Sequence, residues 1–309
     1  MVNLIVTEKC NQNCPYCFFE RVGGKELSWE NFQKFLEWCV KNDLTRVQLL
    51  GGEPFLHRDI YKIIQVLNKT GIGVDTITNG LVPIDKDLLL GLNPLSFLVN
   101  YTASSTMENR EELRKNLDIL SRISPSALTM AVTLYRFNQD LEDLWRLLDL
   151  YRIRALRVDL AQPSASRNNL FVPLTQYSGF KGQLVDIFKK CKRNKISLLF
   201  DCGLSCSINR IFSEGELSLF RKNVRIATRF CKPVVDIFPD LSASYCFPLQ
   251  YIKIKNCLDY RYSELVGELH NGVKDYLDYD RRYQGCCIAH LENLGLKASK
   301  PLDRNDSRC

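Results

Sequence analysis

The chain has 309 residues, 45% of them hydrophobic, and a formal net charge of +7. That length supports one large domain with room for a small second one. No apolar run approaches the ~20 residues of a membrane span, and Lys and Arg form no clustered stripe with interleaved aromatics, which sets aside a membrane protein and a nucleic-acid binder. The chain enters a strand at once with Met1-Val2-Asn3-Leu4-Ile5-Val6, so no signal peptide is expected and the location is expected to be cytoplasmic. In that reducing compartment 13 cysteines argue for metal ligation over disulfides.

In chain order, strands are expected at Leu4–Thr7, Arg46–Leu50, Val74–Thr78, Ser96–Asn100, Leu128–Leu134 and Leu156–Leu160, with Ile196–Phe200 as a further one. Amphipathic helices are expected between them. Ser28 is placed to cap the first, which carries Phe32, Phe35, Leu36 and Cys39 at helical spacing. The others are Asp59–Lys69, Met107–Ile123, Asp140–Tyr151 and Thr175–Asn194. Alternating strand and helix predicts an α/β fold with a parallel sheet, and six units are too few to close an eight-fold barrel. The pattern changes near residue 195, giving expected domains 1–195 and 196–309.

Three patterns fall at the carboxyl ends of expected strands, where ligands of such sheets bind. Cys10, Cys14 and Cys17 have the spacing C-x₃-C-x₂-C, with Tyr16 before the third. Three thiolates leave one iron of a cuboidal cluster open to another ligand. Gly51-Gly52-Glu53-Pro54 follows the second strand; paired glycines admit close backbone approach, and Glu53 offers an acceptor for an ammonium group. Thr78-Asn79-Gly80 ends the third strand, and Asn100 and Thr102 end the fourth. The alternatives are a zinc site for the cysteines and plain turns for the rest.

The cysteine motif and the GGEP motif resemble the signatures of the radical S-adenosylmethionine (radical SAM) enzymes. The resemblance implies a partial (β/α)₆ TIM-like barrel. It implies a 4Fe–4S cluster on Cys10, Cys14 and Cys17, and S-adenosylmethionine (SAM) held by Gly51, Gly52, Glu53, Pro54, Asn79, Asn100 and Tyr16. It further implies one-electron cleavage of SAM to a 5′-deoxyadenosyl radical that takes hydrogen from a substrate C–H bond, the electron coming from a flavodoxin or ferredoxin.

Beyond residue 195 the cysteines concentrate at 202, 206, 231, 246, 257, 286, 287 and 309. The run from Cys231 to Cys246 reads as a β-hairpin turning at Pro239-Asp240, and a hairpin brings its two ends together. It is similar to the hairpin of SPASM and twitch extensions, which implies an auxiliary 4Fe–4S cluster on Cys231 and Cys246, with Cys202 or Cys206 upstream and Cys286 or Cys287, the latter favoured, downstream. Cys257 and Cys309 remain for a second cluster; Cys39 reads as a buried thiol and Cys191 as a helix-end thiol. Structural thiols or one zinc site are the alternative.

The resemblance implies maturation of a ribosomally made peptide, forming a thioether, C–C or C–O crosslink, with any leader-binding domain on a separate protein. A small-molecule dehydrogenase, decarboxylase or cyclase acting on a sugar, nucleotide or alcohol is the alternative. A non-catalytic iron–sulfur or zinc scaffold is a third reading, against which GGEP counts. Tyr101, Tyr135 and Arg157 are expected to face the barrel interior within reach of substrate, with structural pairing to a carboxylate as the equal alternative for Arg157; Gln162-Pro163-Ser164 is expected to border the SAM adenine, His57 to be a helix-start residue, and His290 to have no metal role.

Overall fold

The computed structural model describes residues 1–17, 19, 24–93, 95–102, 107–163, 169–221, 224–226, 234–250 and 252–274, without the side chains of 107–108, 202, 206, 219–221, 224–226 and 248. Its centre is a parallel run of eight strands in sequence order: β1 (Val2–Thr7), β2 (Arg46–Gly51), β3 (Gly73–Thr78), β4 (Leu95–Tyr101), β5 (Leu128–Leu134), β6 (Ala155–Leu160), β7 (Ser197–Phe200) and β8 (Val224–Ile226). The helices α1 (Trp29–Lys41), α2 (Ile60–Lys69), α3 (Met107–Ile123), α4 (Glu142–Leu150) and α5 (Lys181–Arg193) fall between successive strands from β1 to β7, except that β3 runs to β4 with no helix among the described residues between them. This is the α/β architecture of a partial barrel. The expected strands are all present, each within two residues of the expected bounds at either end.

The local chemistry of α1 explains its start. Ser28 is extended (φ −71°, ψ 153°) and its hydroxyl accepts from the N–H of Asn31 at 3.1 Å, the capping geometry that satisfies an otherwise orphaned donor. Its Phe32 and Phe35 are fully buried, each worth roughly 2–3 kcal/mol of apolar burial. The segment expected as one helix from Thr175 divides instead: Leu174–Phe180 forms 3₁₀ turns and α5 begins at Lys181.

The sheet has two differently furnished faces. One carries Leu4, Val6, Val47, Leu49, Val74, Phe97, Val99, Met130, Val132, Leu156 and Val158 into the main core. On the inner face Ile5 and Leu50 cluster with Phe19 and Phe238, and Cys17, Ile77 and Phe247 pack against them. Because strand side chains alternate, Asn100 lies on the inner face of β4 while Tyr101 lies on the other, and Thr102 follows directly after the strand. Tyr101 belongs to the main core, with its hydroxyl 3.5 Å from the Asp143 carboxylate of α4. The expectation that it faces the interior is corrected by that parity.

Past residue 195 the chain keeps extending this sheet. After β7 come α6 (Cys202–Cys206) and α7 (Glu214–Arg221), then β8 paired parallel to β7. β9 (Asp236–Ile237), β10 (Ala243–Ser244) and β11 (Lys253–Ile254) join the opposite edge, β9 lying parallel to β1 through Asn3↔Asp236 and Leu4↔Ile237. β9 and β10 are antiparallel, and Pro239-Asp240 occupies their turn as expected, with Leu241 at φ +64°. α8 (Tyr262–Gly272) follows, and the extension docks on α1: the Trp38 indole donates to the carbonyl of Tyr260 (2.8 Å) and the Tyr262 N–H to the Asn42 side chain (2.7 Å).

Candidate active site

The loop after β1 carries Cys10, Cys14 and Cys17, all half-buried. Its shape depends on the Gly51–Gly52 turn lying directly against it. Gly51 has φ +148°, and a Cβ there would sit 2.2 Å from the carbonyl oxygen of Thr7. A Cβ on Gly52 would sit 2.1 Å from the carbonyl oxygen of Lys9. The close approach is used, since Gly52 N–H donates to Thr7 O and Glu53 N–H to Lys9 O, both at 2.8 Å. Gly52→Ala must displace backbone, so we expect a loss of about 3 kcal/mol in urea unfolding; a variant as stable as wild type would contradict this packing.

Glu53 is buried completely. One carboxylate oxygen accepts from the N–H of Phe55 (3.1 Å) and the Thr78 hydroxyl (2.8 Å), the other from the N–H of Asn79 (2.7 Å). Burial pushes its pKa up to about 7, against the lowering effect of these donors. The side chain that sequence offered to a ligand's ammonium therefore points into the protein, tying the end of β2 to the end of β3; the physical reason is that three protein donors already claim it. Pro54, buried next to it, opens a short 3₁₀ turn. His57 is likewise structural: its Nδ1 accepts from Asp59 N–H (3.1 Å), which leaves Nε2–H to donate to Leu27 O (2.8 Å).

Asn79 links β3 to the cysteine loop. Its side-chain amide donates to the Asn11 side chain (2.7 Å) and lies 3.9 Å from the Cys10 sulfur. The backbone N–H of Gln12 also reaches that sulfur, at 3.4 Å. From β4, the Thr102 hydroxyl lies 3.8 Å from the Cys14 sulfur and shares a 2.9 Å hydrogen bond with the Tyr16 hydroxyl. Tyr16 stacks on Tyr135 at 5.0 Å between ring centroids. Burial first, and the neighbouring Cys14 second, hold its phenol well above the usual range. Asn100 lies half-buried on the inner face two residues before Thr102.

A further wall comes from the segment after β6. Leu170 N–H donates to Pro15 O (2.7 Å), and the buried amide of Asn169 donates to Tyr16 O (3.1 Å) and Gln162 O (2.8 Å). Asn169 was not legible in sequence, since a lone Asn near a loop end carries no motif. Ser164 lies outside the described residues.

The donor set fits a thiophilic cluster: three thiols on one loop, with hydrogen-bond donors beside the sulfurs of the kind that tune an iron–sulfur centre. Among the described residues no three His, Cys, Asp or Glu side chains are grouped as ligands of one metal ion.

The C-terminal cysteines are only partly described. Cys246 follows β10 and is half-buried. Cys202 and Cys206 are the first and last residues of α6, just beyond β7; their side chains, and the whole of Cys231, Cys286, Cys287, Cys309 and His290, lie outside the described residues. Cys257 is fully buried in the main core. Cys39 is buried too, its thiol raised by burial and then by nearby Cys257. Cys191 also lies in the core, where burial pushes its thiol up to about 12.

Comparison with known proteins agrees with this geometry. Residues 4–150 match the family model described as the Radical SAM superfamily. Over those residues the chain is similar to radical SAM domains, a family whose cofactors are a 4Fe–4S cluster and SAM. It is similar to a SAM-dependent nucleotide dehydratase of Selenomonas ruminantium, 25% identical over 201 residues, 58% of this chain and 73% of that one. It is 33% identical over 82 residues to a GTP 3′,8-cyclase of Campylobacter fetus, spanning 24% of this chain and 26% of the cyclase. Among solved structures it shares a fold with SuiB of Streptococcus suis bound to the precursor peptide SuiA, with a TM-score of 0.64 and 14% identity over 88% of this chain and 66% of SuiB. No helix among the described residues is long and apolar enough to cross a membrane.

Proposed function

We propose that Cys10, Cys14 and Cys17 hold the 4Fe–4S cluster, and that Gly51, Gly52, Pro54, Asn79, Asn100 and Tyr16 shape the SAM pocket, with Glu53 bracing its wall from behind. The observation that carries this reading is the convergence on the cysteine loop of β2, β3, β4 and the segment after β6, each by a named hydrogen bond or backbone contact. When bound, cluster and SAM supply a 5′-deoxyadenosyl radical that takes hydrogen from a substrate C–H bond. The chain's own residues position the thiols, place donors near two of the sulfurs and wall the pocket with Tyr16, Tyr135 and Thr102. A flavodoxin or ferredoxin is the proposed electron source.

For the substrate we favour a ribosomally made peptide. The hairpin of β9 and β10, ending next to Cys246, supports a SPASM- or twitch-like extension with an auxiliary 4Fe–4S cluster. The shared fold with a peptide-bound enzyme is consistent with this. A nucleotide substrate is the second reading, favoured by the dehydratase relative matched over 201 residues.

Anaerobic reconstitution tests the assignment. Wild type is expected to hold about eight irons per chain and the Cys10/Cys14/Cys17→Ala variant about four, one cuboidal cluster fewer. Cys246→Ala is expected to lower iron by about four. An unchanged iron count in that variant would remove the auxiliary site from the proposal.

A further inference from the structure

Among the described side chains, two strand arginines lie on the inner face of the sheet: Arg46, at the start of β2 and paired with Asp75 at 2.8 Å, and Arg157. Arg157 lies mid-strand on β6, between Leu156 and Val158, which face the main core. Its Nη1 lies 3.3 Å from an Asp201 carboxylate oxygen at the end of β7. The two side chains keep 20% and 31% of their exposure. A guanidinium offers five donors in a planar fork suited to two-point binding of an oxyanion. A single 3.3 Å contact engages little of that capacity.

Its placement bears on the chemistry above it. Register puts Asn100 of β4, Ala131 of β5 and Arg157 of β6 in one row. Ala131, the smallest side chain of the row, is buried between them. Asn100 and Arg157 are two strands apart, roughly 10 Å. Thr102, beside the Cys14 sulfur, stands two residues beyond Asn100, a step of roughly 6.6 Å. The row thus forms a floor about one residue pair below the corner of the loop at Cys14. Asp159, the next inner-face residue on β6, accepts from the N–H groups of Leu160 (2.9 Å) and Leu204 (2.8 Å) and from the Gln162 amide (3.0 Å).

We propose that Arg157 is an oxyanion subsite for the substrate, taking a phosphate or carboxylate group, and that Asp201 is the counter-ion holding the guanidinium when the subsite is empty. This rests on the radical SAM reading of the pocket. A substrate gripped at this floor presents its remaining length toward the cysteine loop.

Matched ligand pairs test it on reconstituted, SAM-loaded enzyme by titration calorimetry: cytidine 5′-monophosphate against cytidine, and N-acetylglutamate against N-acetylglutamine. The anionic member of at least one pair is expected to bind more tightly, by about tenfold or more, as a two-point charged contact warrants. The pair showing the difference identifies phosphate or carboxylate as the source. Arg157→Gln is expected to abolish that preference, and Asp201→Asn, which removes the competing charge, to increase it. The Asp201→Asn result stands on its own should Arg157→Gln fold poorly. Absence of any anion preference in wild type, or a preference indifferent to both substitutions, overturns the subsite. Deoxyadenosine formation in wild type is measured alongside: its absence would fault the radical reading, whereas its presence with no anion preference faults only the role of Arg157.

Discussion

Cys14→Ala is expected to bring deoxyadenosine formation to background and to remove about four irons per chain, one cluster's worth. The argument is one of ligand number. Three thiols sit on one short loop, and a cuboidal cluster with an open iron needs all three. The loop's backbone is held independently of the sulfur, by the Gly52 and Glu53 N–H groups and by Leu170 N–H donating to Pro15 O. The metal-free variant should therefore unfold within about 0.5 kcal/mol of metal-free wild type, as for substitutions away from the core. Loss of cluster without loss of fold separates ligation from architecture. Deoxyadenosine formation surviving in the variant would refute the assignment.

The second large effect concerns Glu53 and has a defined pH window. Its carboxyl carries a pKa of about 7 in the folded chain against 4.5 ordinarily. The folded state holds the proton more tightly than the unfolded one. The contribution is therefore fully present below about pH 4.5 and fades as pH rises through 7. The difference is worth on the order of 3 kcal/mol. Urea unfolding of metal-free wild type and Glu53→Gln between pH 4.5 and 8 measures it: wild type should lose stability relative to the variant as pH rises, then run parallel above 7. Parallel curves throughout would show that the carboxyl titrates normally. Glu53→Ala, which leaves the Phe55 and Asn79 N–H groups and the Thr78 hydroxyl without their acceptor, should be destabilised at every pH, by about 2–4 kcal/mol.

The parts of this site that were legible in sequence are those whose chemistry is local. C-x₃-C-x₂-C and Gly51-Gly52-Glu53-Pro54 each sit within one turn, and the alternation of strands and helices through residue 195 is periodic enough to read. What escaped depends on distance and direction. Tyr101 and Asn100 are neighbours on one strand, so alternation lets only one of them face the pocket; the sequence does not say which, and the structure gives that place to Asn100. Glu53 looked available because nothing in the motif reveals that Thr78 and Asn79 claim it. Strands of two or three residues, such as β9, β10 and β11, are too short to carry a period and exist only through their partners. The Arg157–Asp201 pair joins residues 44 positions apart by meeting across adjacent strands, which no linear pattern announces.

The partnership of β9 with β1 has a consequence for how the protein is made. The strand that leads straight into the cysteine loop is made well before its second partner: one of its edges is completed by residues more than 230 positions later, where the Asn3 amide meets Asp236 at 2.7 Å. Until then β1 presents an unpaired edge, the kind of surface that recruits stray strands, and closing so long a loop is slow. During synthesis the loop is therefore rooted in a strand with only one partner. A chain truncated before residue 236 would carry every thiol of the N-terminal motif but lack the second flank of the strand that presents them.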